Sequence, residues 1–295
     1  MKFTGVYTAL ITPFTNSGDV DEDALRRLID FQLTNGVDGL IPCGTTGESP
    51  TLSHDEHDRV IELTVDFVKG QVPVVAGTGS NSTSEAIRLT RHARQAGADG
   101  VLLVNPYYNK PTQKGMYLHF KAIADAVDIP CMLYNIKGRT AVNLETETLG
   151  LLMQECANIM AMKEASGDIE QMKAVIARRR GDFCVLSGDD NMALSLIEAG
   201  GHGVVSVASN LVPDLMVAMI HAALQGDFER ARALEAELDP LFRVEFIETN
   251  PIPIKTALSM RGMCAEVFRL PLCELEKDEH RSELAQVLRS MNIIT

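Results

Sequence analysis

Eight short apolar runs recur along the chain: Gly5–Pro13, Gly39–Gly44, Val72–Gly79, Gly100–Pro106, Pro130–Asn135, Ile159–Ser166, Phe183–Asp189 and Gly203–Asn210. Their interiors are continuously apolar rather than alternating, the pattern of parallel strands covered on both faces. Between neighbours there is room for one helix. Ser53-x-x-Glu56 and Ser82-x-x-Glu85 read as capping boxes, and Val60, Leu63, Phe67 and Val68 follow the first at helical spacing. Helix exits also repeat: Asn35-Gly36-Val37-Asp38-Gly39, Ala96-Gly97-Ala98-Asp99-Gly100 and Ala199-Gly200-Gly201-His202-Gly203. Each places a Gly where a left-handed C-cap is wanted, just ahead of a Gly that opens the next strand.

A turn recurring at one phase of the pattern implies a repeated βα unit, and eight units predict an α/β chain folded as a (β/α)8 TIM barrel over residues 1–225. An open doubly wound sheet is the alternative, but no G-x-G-x-x-G follows any of the runs. Beyond Gln225 the pattern is helical only, at Phe228–Phe242, Pro253–Arg261 and Asp278–Ser290, so residues 226–295 are expected to form a C-terminal all-helical extension packed on the barrel.

Composition narrows the partners. The 295 residues are 45% hydrophobic and 23% charged, enough for a substantial core. A formal charge of −13 argues against nucleic acid, and the basic run Arg178-Arg179-Arg180 falls at a predicted helix end, where cations suit the dipole. No apolar stretch is long enough to span a membrane, and the N-terminus lacks the pattern of a signal peptide. The six cysteines are scattered without a CxxC pair, which fits buried thiols in a reducing compartment; a cytoplasmic protein is expected.

In a barrel of this kind catalytic groups sit at the C-terminal strand ends. After the second run comes Gly44-Thr45-Thr46-Gly47-Glu48, whose hydroxyls and backbone N–H groups suit a small carboxylate, though a plain tight turn reads equally well. The fourth ends in Asn105-Pro106-Tyr107-Tyr108-Asn109, and the fifth in Tyr134-Asn135 with Arg139 beyond. Three of the five tyrosines thus fall at strand ends, either as proton carriers or as caps on the barrel rim. Arg139 suits a carboxylate clamp.

Lys163 follows the apolar Ile159-Met160-Ala161-Met162 and closes the sixth run. Burial lowers an amine's pKa and frees the neutral form that attacks a carbonyl. Taken alone, a snorkelling lysine or one paired with neighbouring Glu164 is the commoner arrangement. A second candidate, Lys255, follows the prolines of Asn250-Pro251-Ile252-Pro253-Ile254 and reads as structural. The seventh run ends in Ser187-Gly188-Asp189-Asp190, an acidic pair that disfavours a phosphate site there. His54 and His57 share a helix start, but no carboxylate completes a metal set with them.

These stretches, taken in order, resemble the dihydrodipicolinate synthase family within the pyruvate-dependent class I aldolase and N-acetylneuraminate lyase group, and the likeness runs nearly end to end. The resemblance implies an enzyme of lysine and diaminopimelate biosynthesis that condenses pyruvate with L-aspartate 4-semialdehyde to 4-hydroxy-tetrahydrodipicolinate, with no cofactor and no metal. Lys163 would form the Schiff base. Thr45, Tyr134 and Tyr108 would relay protons, with Tyr108 supplied by a neighbouring subunit of a homotetramer (a dimer of dimers). Thr45 and Thr46 would hold the pyruvate carboxylate and Arg139 that of the semialdehyde, while the backbones of Gly188 and Val205 would flank the lysine. The alternative within the group is a lyase of N-acetylneuraminate or a keto-sugar acid, which Arg139 disfavours.

The same resemblance implies L-lysine as an inhibitor, held at a subunit interface by Ser49, Leu52, His54, His57, Asn81, Glu85 and Tyr107. Two residues depart from the family: Lys137 stands where relatives usually have Pro, and Pro50 where Ala is frequent. The Lys137 change is expected to be solvent-exposed.

Overall fold

The computed structural model describes residues 2–295. Its strands are β1 (Gly5–Ala9), β2 (Gly39–Ile41), β3 (Val75–Gly77), β4 (Gly100–Val104), β5 (Cys131–Asn135), β6 (Ile159–Glu164), β7 (Cys184–Ser187) and β8 (Gly203–Ser206). They pair in parallel in the order β2-β1-β8-β7-β6-β5-β4-β3, and a parallel bridge between Leu40 and Val74 draws the two ends together into a nearly closed barrel. All eight apolar runs contain a strand, and every run but the fifth continues past the end of its strand. β2 ends at Ile41 because Pro42 has no N–H for the ladder, and β4 likewise leaves Asn105-Pro106 outside. These leftover residues form the barrel mouth.

The helices are α1 (Glu22–Thr34), α2 (His54–Val68), α3 (Thr83–Gln95), α4 (Gln113–Ala126), a short α5 (Lys137–Thr140), α6 (Thr146–Glu155), α7 (Ile169–Arg178), α8 (Ala193–Glu198) and α9 (Pro213–Leu224). The three glycine exits are Schellman turns. Gly36, Gly97 and Gly200 have φ of 76°, 91° and 97°. The N–H groups of Val37, Ala98 and Gly201 reach back to the carbonyls of Gln32, Ala93 and Leu196. The residue before each strand-opening glycine serves one purpose. Asp38 and Asp99 accept from the N–H of Val6 and Val74 at 2.8 and 2.9 Å, and in the third turn His202 Nδ1 accepts from Val185 N–H at 3.1 Å. One side chain per repeat thus pins the preceding strand.

The Ser53–Glu56 capping box is complete. The second is not: the Ser82 side chain caps nothing, and Glu85 turns to Ser80 and His54 instead. Arg178 ends α7, and Arg180 just beyond donates to the carbonyls of Met153, Ala157 and Ile159 at 2.6, 3.2 and 3.3 Å.

Strand parity sorts two apolar layers. Tyr7, Leu102, Met132, Ala161, Leu186 and Val205 fill the barrel interior, while Leu103, Leu133, Met162 and Val185 face the helices. Past α9 lie α10 (Phe228–Val244), α11 (Ile252–Met260) and α12 (Asp278–Ser290), with no strand among the described residues. α10 packs on α9 and α12. The segment joining α10 to α11 runs over the mouth of the barrel.

Candidate active site

Position in β6 decides what Lys163 can do. It shares parity with Ala161 and Ala165, which line the interior, and so points inward. Small neighbours leave it room, and Gly188 is needed for the same reason: a Cβ there would lie 2.9 Å from Lys163 Cε and 2.7 Å from Ala165 Cβ. The amine sits 4.2 Å from the centre of the Tyr134 ring. No carboxylate lies within salt-bridge reach of it among the described residues. Burial therefore wins, lowering its pKa from 10.5 to about 8, with Asp189 and Asp190 opposing weakly and Arg139 reinforcing.

Glu164 is not its partner. Opposite parity turns Glu164 outward with Met162, fully buried beneath α7. Its carboxylate accepts from Ser166 N–H at 2.7 Å, from Asn135 Nδ2 at 3.3 Å and from Gln171 Nε2 at 3.2 Å. Asn135 also donates to Asn143 Oδ1 at 2.8 Å and accepts from Asn105 Nδ2 at 2.7 Å, so an amide network knits the ends of β4, β5 and β6 behind the lysine.

A cavity of about 430 Å³ opens over Lys163, walled by Thr45, Thr46, Tyr134, Arg139, Gly188 and Asp189 among others. Burial holds the Tyr134 phenol well above its ordinary range, so it stays protonated, with the Thr45 side chain beside it. Thr46 accepts from Asn250 Nδ2 at 3.0 Å, and Arg139 donates to the Asn250 carbonyl at 3.1 Å. Arg139 lies on α5, opened by the exposed Lys137.

Three of the expected residues, Val205, Tyr108 and Asn81, are not on the wall of this cavity. Val205 is fully buried in the barrel interior, in the same inner layer as Ala161, Ala165 and Tyr134 around the lysine, and Val207 lines the cavity wall. Tyr108 is 90% exposed, at a φ of 71°, and does not reach this chain's own cavity. Ser49, Leu52, His54, His57, Glu85 and Tyr107 line the far end of the same cavity, while Asn81 lies outside it and accepts from Asn109 Nδ2 at 2.9 Å. His54 meets Glu85 at 2.8 Å. His57 Nε2 is 2.9 Å from the Gly77 carbonyl, and burial lowers its pKa. Pro50 is exposed on the turn between them.

The acidic pair after β7 divides. Asp189 lines the cavity, and Asp190 is buried with Oδ2 on the N–H groups of Val207 and Ala208 at 2.8 and 3.0 Å. Those are the donors a phosphate after β8 would need, and they are occupied.

Residues from the C-terminal helices were not visible as site members in the sequence. Asn250 is the hinge between Thr46 and Arg139. Lys255 forms a fully buried pair with Glu48 of the threonine motif at 2.6 Å, its amine 4.1 Å from the Phe14 ring centre. The run Asn250-Pro251 marks a helix start but carries no sign of which strand end it meets.

Fold and cavity together define a (β/α)8-barrel enzyme with its chemistry at the C-terminal strand ends. The dihydrodipicolinate synthetase family model matches residues 2–291, and the chain belongs to that family. A 4-hydroxy-tetrahydrodipicolinate synthase of Endomicrobium trichonymphae is 52% identical over 292 residues, covering 99% of each chain. The crystal structure of dihydrodipicolinate synthase from Aquifex aeolicus superposes with a TM-score of 0.97 at 50% identity, covering 99% of both chains. A lysine-bound enzyme from Cyanidioschyzon merolae gives a TM-score of 0.96 at 41% identity, again over 99% of each.

Proposed function

We infer that this chain is a lyase of lysine and diaminopimelate biosynthesis that condenses pyruvate with L-aspartate 4-semialdehyde to 4-hydroxy-tetrahydrodipicolinate. The observation that carries the reading is a buried, unpaired Lys163 amine, its pKa lowered to about 8, beneath a cavity lined by hydroxyls and an arginine. Lys163 attacks the pyruvate ketone, and the carbinolamine loses water to give the Schiff base. The protonated Tyr134 phenol, beside Thr45, supplies the proton for the departing hydroxyl. Loss of a methyl proton gives an enamine, whose carbon attacks the semialdehyde aldehyde. The semialdehyde amine then displaces Lys163 and closes the ring.

Thr45 and Thr46 hold the pyruvate carboxylate, with the Gly188 and Val205 backbones beside the lysine. Arg139 receives the second carboxylate. Tyr108 completes the relay from a neighbouring copy in a homotetramer; its exposure on the β4 loop supports this. Residues 226–295 act as a brace on the 1–225 barrel, through Asn250 and Lys255. We place the enzyme in the cytoplasm.

L-lysine binds at Ser49, Leu52, His54, His57, Glu85 and Tyr107, with Asn81 on the outer rim. Glu85 faces the effector's amine, and His54 is already oriented by it. The lysine-bound relative supports this reading. Pyruvate consumption with aspartate semialdehyde, set against N-acetylneuraminate cleavage, tests the activity: turnover of N-acetylneuraminate alone overturns it. Titrating lysine into the enzyme tests the effector; neither heat nor loss of rate removes it from the scheme.

A further inference from the structure

Where the ends of β7 and β8 meet α10, two carboxyl groups are buried against each other. Asp190 is 2% and Glu245 1% exposed. Asp190 Oδ2 accepts from Val207 and Ala208 N–H at 2.8 and 3.0 Å, with the Ser206 hydroxyl alongside. Asp190 Oδ1 and both Glu245 oxygens find no N–H or O–H donor among the described residues, yet the two side chains contact each other. Three bare acceptors at this depth are costly, and two full negative charges there more so. One proton lowers both costs: a carboxylic acid donates to a carboxylate, which engages two of the three oxygens and leaves a single negative charge.

We propose that Asp190 and Glu245 hold one proton between them, carried by Glu245, and that this shared proton ties α10 to the β7 and β8 ends and keeps a second negative charge away from Lys163. The assignment to Glu245 follows from the donors: two backbone N–H groups favour the anion on Asp190, and nothing favours it on Glu245. The groups facing the pair are Asp189 on the β7 loop and Lys163 on β6. On α10 itself Arg243 is engaged with Asp239 at 2.6 Å. No cation lies within salt-bridge reach of either acid among the described residues. Burial, then Asp190, pushes the Glu245 carboxyl well above its ordinary value. Glu245 is a positioning residue: it acts through Asp190, which fixes Val207 on the cavity wall.

The sign of the pH effect follows. A carboxyl that binds its proton more tightly when folded stabilises the fold at low pH, and that contribution is lost as pH rises through the folded pKa. Glu245→Gln keeps a permanent N–H donor to Asp190 and no longer titrates. Between about pH 5.5 and 8 its Tm should therefore climb relative to wild type. Parallel Tm curves for the two proteins overturn the proposal. Borohydride trapping of the pyruvate adduct gives the second readout, and this arm rests on Lys163 being the Schiff-base amine. The pH midpoint of trapping should be the same in Glu245→Gln as in wild type, because neither protein carries a second negative charge near Lys163 while the proton is held. A midpoint that falls in the variant means that wild-type Glu245 is already ionised there and removes the electrostatic half of the proposal. If wild type traps no adduct at any pH, the Schiff-base reading fails and the Tm comparison still decides the shared proton. Should Glu245→Gln not fold, infrared spectra of the wild type at pH 7 decide: absence of a protonated-carboxyl carbonyl band overturns the pair.

Discussion

Two lysines are buried among the described residues, Lys163 and Lys255, and their surroundings are opposite in kind. Lys255 is fully enclosed, 2.6 Å from a fully buried Glu48 and flanked by the Phe14 and Phe268 rings. Burial lowers its pKa, but Glu48 opposes through both charge and a hydrogen bond, so the pair behaves as a cross-link between the threonine loop and α11. Lys163 has a tyrosine face, an open cavity and no carboxylate in contact. What separates the proposed Schiff-base lysine from the structural one is the missing partner together with the available space; depth alone is common to both.

The sharpest break of this comparison is Lys163→Ala, expected to lower kcat at least ~1000-fold and to abolish the borohydride-trapped pyruvate adduct. A variant that still forms the adduct transfers the chemistry to another amine, with Lys255 the first suspect. Next comes Lys255→Met, which strands Glu48 as a buried unpaired charge and should cost about 3–5 kcal/mol in chemical denaturation. Adding Glu48→Gln should return part of that loss; a single variant as stable as wild type would show that the pair contributes no net stability. The smallest effect concerns pH. Lys163 has a folded pKa of about 8 against an ordinary 10.5, so below about pH 8 the fold bears a cost of about 3 kcal/mol, which disappears as pH rises towards the unfolded value. Lys163→Met should therefore be more stable than wild type at pH 7, with the gap closing in alkali. A gap independent of pH would mean that burial does not lower the Lys163 pKa.

The amide network around Glu164 qualifies the picture. A carboxylate adjacent in sequence is the obvious counter-ion, yet strand parity sends it to the other face, where Ser166, Asn135 and Gln171 satisfy it. Glu85 shows the same limit at a helix start: the spacing from Ser82 fits a capping box, but His54 and Ser80 compete for the carboxylate and win.

Much was determined by the chain locally. Apolar runs, the Ser53–Glu56 box and the glycine exits specify strands, helix starts and Schellman turns, because each depends on φ preferences and hydrogen bonds within a few residues. Repetition of those units then implies the barrel, and the barrel rule points to Thr45, Tyr134, Arg139 and Lys163 at the strand ends. The tertiary structure alone decided which groups face which. That α10 and α11 carry Asn250 to Thr46, Lys255 to Glu48 and Glu245 to Asp190 depends on packing between segments at least 55 residues apart, the difference of 245 and 190. Whether a buried charge has a partner is a property of such long-range contacts, and it is what separates Lys163, the proposed Schiff-base lysine, from the paired Lys255.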